Sequence, residues 1–332
     1  MTRRPRSRSS AAWPALVGDI GATNARFALL YPTGDVEQAR VLACRDFPTI
    51  EDAIESYFAE ASATAASPRP LAAALAIAGP VSGDHVALTN HPWSFSTVEL
   101  RRHLAFDRLV VVNDFAAVAH GAPHLPPDAL SAVGGGTGTF GTPIGIVGPG
   151  SGLGVGGVVP SDGRWSVLPS EGGHVTMAAA SDRESVVLDR LRKRFDHLSA
   201  ERVLSGPGVV NLYQALAEID GVPPQPYGAA EITDPQNRER DPQCRETVEL
   251  FCAMLGTVAS NLALTLGARG GIYIAGGIVP KLGPVFAASR FRERFENKGR
   301  MRPYLADIPT FVITHPFPAF VGLRAVLAAR AA

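Results

Sequence analysis

Runs of apolar residues broken by glycine-rich polar turns recur along this chain. Leu16-Val17 and Phe27–Leu30 flank a turn made of Gly18, Asp19, Gly21, Ala22, Thr23 and Asn24. That pattern predicts two strands in a tight hairpin, with Val36–Cys44 as a third strand. Thr49 is placed to cap a helix over Ile50–Ala66, with Glu51 and Asp52 in its first turn. Ser67–Pro70 breaks the chain, and Leu71–Ala78 predicts a buried strand. Ser96, with Glu99 three residues later, predicts a capped helix over Thr97–Leu104. The β-branched run Leu109–Val112 predicts a buried parallel strand that ends at Asn113-Asp114, with a helix over Phe115–His120.

About half of Val133–Gly157 is glycine. Its apolar flanks predict strand, glycine turn, strand, the same design as the opening hairpin. A GxGxxG match at Gly152, Gly154 and Gly157 is followed by Val158–Gly163, a short strand and turn. A dinucleotide fingerprint needs a helix there, so that reading fails. No Gly-Lys dipeptide occurs, which excludes a Walker A loop. Trp165–Leu168 leads to a compact polar loop, Ser170–His174. Helices follow over Glu184–Arg194 and Val209–Glu218, then a Pro-rich surface loop over Gly221–Asp241. A long helix over Arg245–Ala268 precedes a strand that ends in Gly276-Gly277 and a new helix. Strand Phe311–Thr314 and a helix from Pro318 to Ala329 close the chain. Strands alternating with helices place the chain in the α/β class.

The 332 residues suggest two domains. Net charge is zero and 46% of residues are hydrophobic, so no global basic field recruits nucleic acid or an anionic membrane. Four Arg fall in the first ten residues, with no apolar stretch behind them. Residues 1–14 therefore read as a disordered basic extension, not a secretory signal. Leu250–Ala268 is uncharged for 19 residues, but its Gly, Thr, Ser and Asn content favours a buried helix over a membrane span. Cys44, Cys244 and Cys252 have no framework spacing, which fits free thiols in a reducing cytoplasm.

Three features carry chemistry. The two glycine turns offer consecutive backbone N–H groups to an anion, and Asp19 can hold a Mg²⁺ through water. Asp114 stands at a strand's carboxyl end, where ligands of open α/β sheets bind, although an Asp there also serves as a helix cap. Glu171 and His174 are three apart across two glycines. No third metal ligand is near, so a pair that binds hydroxyl groups is the economical reading, beside that of a structural histidine.

Taken in order, LVGDIGATNARFAL, NHPWSFS, VVNDFAAVA, GPGSGLGVGG, LPSEGGHVTMA, SAERVLSGPGVVNLY and SNLALTLGARGGIYIAGGIVPK resemble bacterial glucokinases from about Ala15 to Leu323. The resemblance implies a two-domain actin-like ATPase (ribonuclease H-like) fold with an interdomain cleft that closes around the sugar. The small domain would comprise residues 15–124 plus 315–332, and the large one 125–314. It implies transfer from Mg-ATP to the 6-hydroxyl of glucose, with Asp114 as general base. Asn113, Glu171, His174 and Glu201 would hydrogen-bond the other hydroxyls. Gly18, Asp19, Gly21, Ala22, Thr23 and Asn24 would bind phosphate and organise the Mg²⁺ region. Gly150, Ser151 and Gly152, within Gly150–Gly154, would cradle phosphate from the other side, and Gly276 and Gly277 would lie under the adenosine.

Ala22 stands where the family usually has a second glycine, and Ser151 where Thr is more usual. A homodimer is what the resemblance suggests. The competing readings are a mannose or fructose kinase, a sugar-responsive repressor and an actin-like ATPase. About 14 residues before the first strand are too few for a repressor's helix-turn-helix. SEGGH with Glu201 argues against the actin-like switch.

Overall fold

The computed structural model describes residues 13–64 and 69–329. Most of the basic extension, the break at Ser67-Pro68 and the last two residues of the first expected helix lie outside the described residues. The chain divides into two compact units, Met1–Leu125 with Pro316–Ala332, and Pro126–His315.

The first unit opens with β1 (Ala15–Ile20), β2 (Asn24–Leu30) and β3 (Val36–Ala43), an antiparallel meander. Next come α1 (Ile50–Thr64), β4 (Ala72–Ile77), a ribbon of β5 (His85–Ala87) and β6 (Ser94–Ser96), α2 (Thr97–His103), β7 (Arg108–Asn113) and α3 (Asp114–Gly121). The sheet order is β3-β2-β1-β4-β7, with β4 parallel to β1 and β7 parallel to β4. Both faces of the central strands are buried with a period of two. Leu16, Phe27, Leu75 and Ile77 join one cluster with Tyr57 of α1, while Val17, Leu30, Ala72, Ala74 and Ala76 join another.

The second unit holds β8 (Leu130–Ala132), β9 (Ile144–Pro149), β10 (Leu153–Ser161), β11 (Arg164–Leu168), α4 (Asp182–Arg192) and α5 (Gly206–Asp220). It continues through α6 (Ala229–Thr233), α7 (Pro235–Arg240), α8 (Pro242–Leu266), β12 (Gly271–Ile274), α9 (Ile278–Leu282), α10 (Pro284–Ala287), α11 (Phe291–Glu296), α12 (Arg302–Ala306) and β13 (Thr310–Ile313). The sheet order is β11-β10-β9-β12-β13-β8. β9–β11 form an antiparallel meander, and β12 and β13 continue parallel to β9. Each unit therefore repeats one design: a three-stranded meander whose first strand is extended by two parallel strands.

α8 is long and apolar enough to cross a membrane, but 72% of its most apolar window is buried inside the structure. Phe251, Met254, Leu255 and Val258 lie in the core of the second unit. The chain then returns to the first unit as α13 (Pro318–Ala329), which packs on α3. Two glycines permit that approach. A Cβ on Gly322 would stand 1.7 Å from the Ala117 carbonyl oxygen, and one on Gly121 would stand 2.8 Å from that of Pro318.

Several elements differ from the sequence reading. Gly18 and Asp19 belong to β1, leaving Gly21–Thr23 as the turn. β7 is an edge strand and only Val110 in it is buried, because β4 is its sole partner in the sheet. The expected surface loop over Gly221–Asp241 contains two short helices. Asp234 caps α7, accepting from the N–H groups of Gln236 and Asn237, and Pro235 occupies the first turn. Asp241-Pro242 starts α8 in the same way, three residues earlier than expected. Asp-Pro works here as cap and first helical position, not as a breaker.

Candidate functional site

In the first unit the parallel register aligns Ile20 of β1 with Ile77 of β4, and Ile77 with Asn113 of β7. Asp19 and Asp114 therefore stand at the carboxyl edge of the sheet, the side on which open α/β sheets bind ligands. Asn113 is the N-cap of α3. Its Oδ1 accepts from the N–H groups of Phe115 and Ala116, each at 3.0 Å. Its Nδ2 donates to the Gly79 carbonyl at 3.1 Å and to Asp114 Oδ1 at 3.0 Å. Asn113 thus caps the helix and holds the neighbouring carboxylate.

Asp114 Oδ1 also accepts from the Phe115 N–H at 2.8 Å. These bonds and the helix N-terminus favour the charged form. Burial outweighs them, the negative charge of Asp19 adds to it, and the Asp114 carboxyl is pushed up to about 6. That value leaves it ionised at neutral pH but basic enough to accept a proton. Asp19 is itself raised by burial against the opposing pull of Arg26. Arg26 faces Asp19 across the hairpin and donates to its Oδ2 at 3.3 Å.

The β1–β2 turn closes on itself through the Gly21 N–H to the Asn24 carbonyl at 3.0 Å. The Cys44 N–H braces it from behind, bonding the Thr23 carbonyl at 2.9 Å. Among the described residues the next two N–H groups, Ala22 and Thr23, have no hydrogen-bond partner. Ala22 is not in the left-handed region, so its side chain costs the turn nothing. Gly18 lies inside β1, where a Cβ would meet Leu75 at 2.7 Å and Phe27 at 3.0 Å.

The β9–β10 turn also closes on itself, over a span one residue shorter. The Gly150 N–H closes onto the Gly152 carbonyl at 2.8 Å, and among the described residues the Ser151 and Gly152 N–H groups have no partner. Gly276, at φ +81°, lies against this turn, and a Cβ there would meet the Pro149 carbonyl oxygen at 2.2 Å. Gly277 is open and precedes α9. Each unit thus presents two adjacent unpartnered N–H groups, a nest suited to an anion.

Glu171, His174 and Glu201 gather around the start of β10. Glu171 bridges to Val155, and a Cβ on Gly173 would stand 2.0 Å from the Leu153 carbonyl oxygen. Glu171 and His174 are exposed, with Oε2 and Nε2 3.9 Å apart. His197 Nε2 lies 3.0 Å from the His174 carbonyl oxygen. The Ala200 N–H donates to the Val175 carbonyl at 2.9 Å, which brings the segment bearing Glu201 alongside. Glu201 Oε2 accepts from the Leu153 N–H at 2.8 Å.

Sequence reasoning missed Arg26, although hairpin register alone places residue 26 opposite 19. It also missed the bond from Leu153 to Glu201, which spans 48 positions and leaves no local signal. Among the described residues no group of three or more His, Cys, Asp or Glu forms a metal cage.

Residues 16–330 match the family model described as glucokinase. The glucokinase of Paramagnetospirillum magneticum is 52% identical over 94% of this chain and 97% of its own length. The bifunctional protein glk of Paraburkholderia xenovorans is 47% identical over 98% of this chain, which spans only 50% of that longer protein. The crystal structure of a glucokinase from an Antarctic psychrotroph superposes with a TM-score of 0.85 at 36% identity, covering 95% of this chain and 98% of the other.

Proposed function

The chain belongs to the glucokinase family, and from that premise we propose that it transfers the γ-phosphoryl group of ATP to the 6-hydroxyl of D-glucose. The fold is that of the actin-like ATPases, and the enzyme is an ATP-dependent hexose kinase. The observation that carries the finer reading is Asp114, a half-buried carboxylate at a strand's carboxyl end, pushed up to about 6 and held by Asn113.

In this mechanism Asp114 accepts the proton of the sugar 6-hydroxyl as that oxygen bonds to the γ-phosphorus and the bond to the ADP oxygen breaks. General-base help of this kind is worth ~10²–10⁴-fold. Glu171, His174 and Glu201 hydrogen-bond the remaining hydroxyls. Asn113 contributes mainly by fixing Asp114, since its amide is engaged on both sides. The unpartnered N–H pairs at Ala22-Thr23 and Ser151-Gly152 hold phosphate oxygens, and Gly276-Gly277 leave flat access for the adenosine.

The residues also fit Mg²⁺. Asp19 keeps Oδ1 without a partner among the described residues, and one carboxylate plus substrate phosphates is the usual magnesium arrangement. When bound, Mg²⁺ neutralises charge on the transferring phosphate. A cytoplasmic setting is supported by three cysteines that are buried and free of disulfides.

The test is a coupled assay of ADP release against a panel of hexoses. Glucose should give the highest kcat/KM. A clear preference for mannose or fructose would replace the substrate, and no ADP with any hexose would remove the reading.

A further inference from the structure

Glu201 sits in a closed ring of hydrogen bonds around the β9–β10 turn. Its Oε2 accepts from the Leu153 N–H at 2.8 Å, at the turn's exit. Its own carbonyl accepts from Ser205 Oγ at 2.8 Å, and that hydroxyl caps α5 by accepting from the Gly208 N–H at 3.0 Å. The next residue, Gly206, donates its N–H back to the Gly150 carbonyl at 2.8 Å, at the turn's entrance. The ring thus runs from Gly150 through Leu153, Glu201, Ser205 and Gly206 and returns to Gly150.

Gly152 is part of the same fit. A Cβ there would stand 2.5 Å from Glu201 Oε2, so a side chain at residue 152 forces the carboxylate to shift from its place on Leu153. Gly152 is not at positive φ, which leaves this contact, not backbone conformation, as the reason for a glycine. The two N–H groups without partners, Ser151 and Gly152, lie inside the ring.

We propose that Glu201 is a positioning residue for nucleotide binding. One carboxylate oxygen locks the β9–β10 turn so that the Ser151 and Gly152 N–H groups are pre-aimed at phosphate, while the other oxygen remains for the sugar. The proposal rests on the kinase reading above and deepens it. It makes one side chain common to the acceptor site and the donor site, so occupancy of either site is felt at the other. A Glu201 that only binds sugar has no effect on nucleotide when sugar is absent.

The experiment is titration of MgATP into the enzyme without sugar, for the wild type, Glu201→Ala, Glu201→Gln and Gly152→Ala, with circular dichroism to verify folding. Glu201→Ala should weaken sugar-free MgATP binding about tenfold, since a lost acceptor lets the turn wander. Glu201→Gln keeps a carbonyl oxygen for the Leu153 N–H and should stay within about twofold of wild type. Gly152→Ala retains Glu201 but displaces its carboxylate, and should lose about as much as Glu201→Ala. It also serves as the second probe if Glu201→Ala does not fold. Wild-type affinity in folded Glu201→Ala or Gly152→Ala, or a loss in Glu201→Gln equal to that of Glu201→Ala, overturns the proposal and leaves the kinase reading standing. A wild type that binds no MgATP without sugar overturns the proposal, while the kinase reading is judged separately by ADP release with a hexose, which an enzyme that takes sugar first would still show.

Discussion

Asn113 Nδ2 donates to Asp114 Oδ1 at 3.0 Å while Asn113 Oδ1 caps the helix that Asp114 begins. One amide thus ties the orientation of the carboxylate to the end of β7 and to the start of α3. A carboxylate held in this way loses little entropy on meeting a ligand, and its exposure is set by the helix rather than by a free rotamer.

The first prediction follows from the same carboxylate. Asp114 is pushed up to about 6, so kcat/KM should fall about tenfold per pH unit below that value and level off above it. Its effect on stability has the opposite direction. A raised acid pKa means that the folded state prefers the protonated form, so this contribution is present below the unfolded value of about 4 and is lost as pH rises through about 6. Asp114→Asn should therefore reduce turnover to less than about a tenth of wild type while leaving sugar binding largely intact. It should also raise stability at pH 7 by on the order of 2 kcal/mol. Chemical denaturation at pH 7 and pH 4 checks this, because the gap must shrink at the lower pH.

Gly322 makes the second case. Its missing Cβ would overlap the Ala117 carbonyl oxygen at 1.7 Å and approach the Gly121 N at 2.8 Å, and both are backbone atoms that cannot rotate away. Gly322→Ala must push α13 off α3 and should cost about 1–3 kcal/mol. Since α3 carries Asp114 at its first position, kcat should drop along with the thermal midpoint. Gly135→Ala, where a Cβ meets nothing within 4 Å, is the matched control and should leave both unchanged.

Local chemistry explains which parts were legible in the sequence. Asn113-Asp114 after a β-branched run, the Gly21–Thr23 turn and the Glu171–His174 loop each signal themselves within a few residues. Ser96 does cap α2, accepting from the Glu99 N–H at 3.1 Å. The partner that completes this cap is Asp84, twelve residues upstream, which no capping-box pattern indicates. α10, α11 and α12 were not anticipated; Pro284 and Pro303 sit in the first turns of α10 and α12. The contacts between Gly322 and Ala117 and between Glu201 and Leu153 are non-local, so their glycines and acids look unremarkable in the linear chain.

Asp84 gives the third prediction. Its exposed carboxylate accepts from Ser96 Oγ at 2.6 Å, Thr97 Oγ1 at 2.7 Å and the Val98 N–H at 2.9 Å. These bonds hold it down to about 2. A lowered acid pKa contributes stability that is present above the unfolded value of about 4 and lost as pH falls through about 2. Asp84→Ala should melt at a lower temperature than wild type from pH 5 to 8, and the difference should narrow between about pH 4 and 2. A difference that stays constant down to pH 2 would show that the carboxylate's charge is irrelevant to the cap.

Ala22 carries the last prediction. This turn holds an alanine after Gly21, and the only non-glycine residues at positive φ among the described residues are Gln38, Ala105 and Asp162. The Gly21 N–H still closes onto the Asn24 carbonyl at 3.0 Å, so the turn forms without a left-handed residue at position 22. Ala22→Gly then adds only freedom to the unfolded chain and should destabilise the protein by about 0.4–1 kcal/mol. MgATP affinity should stay within about twofold, because the direction of the Ala22 and Thr23 N–H groups is set by the flanking strands and by Cys44 behind them. Thermal denaturation and KM for ATP decide the matter. A gain of tenfold or more in ATP affinity would mean that the methyl group had been holding the turn away from phosphate.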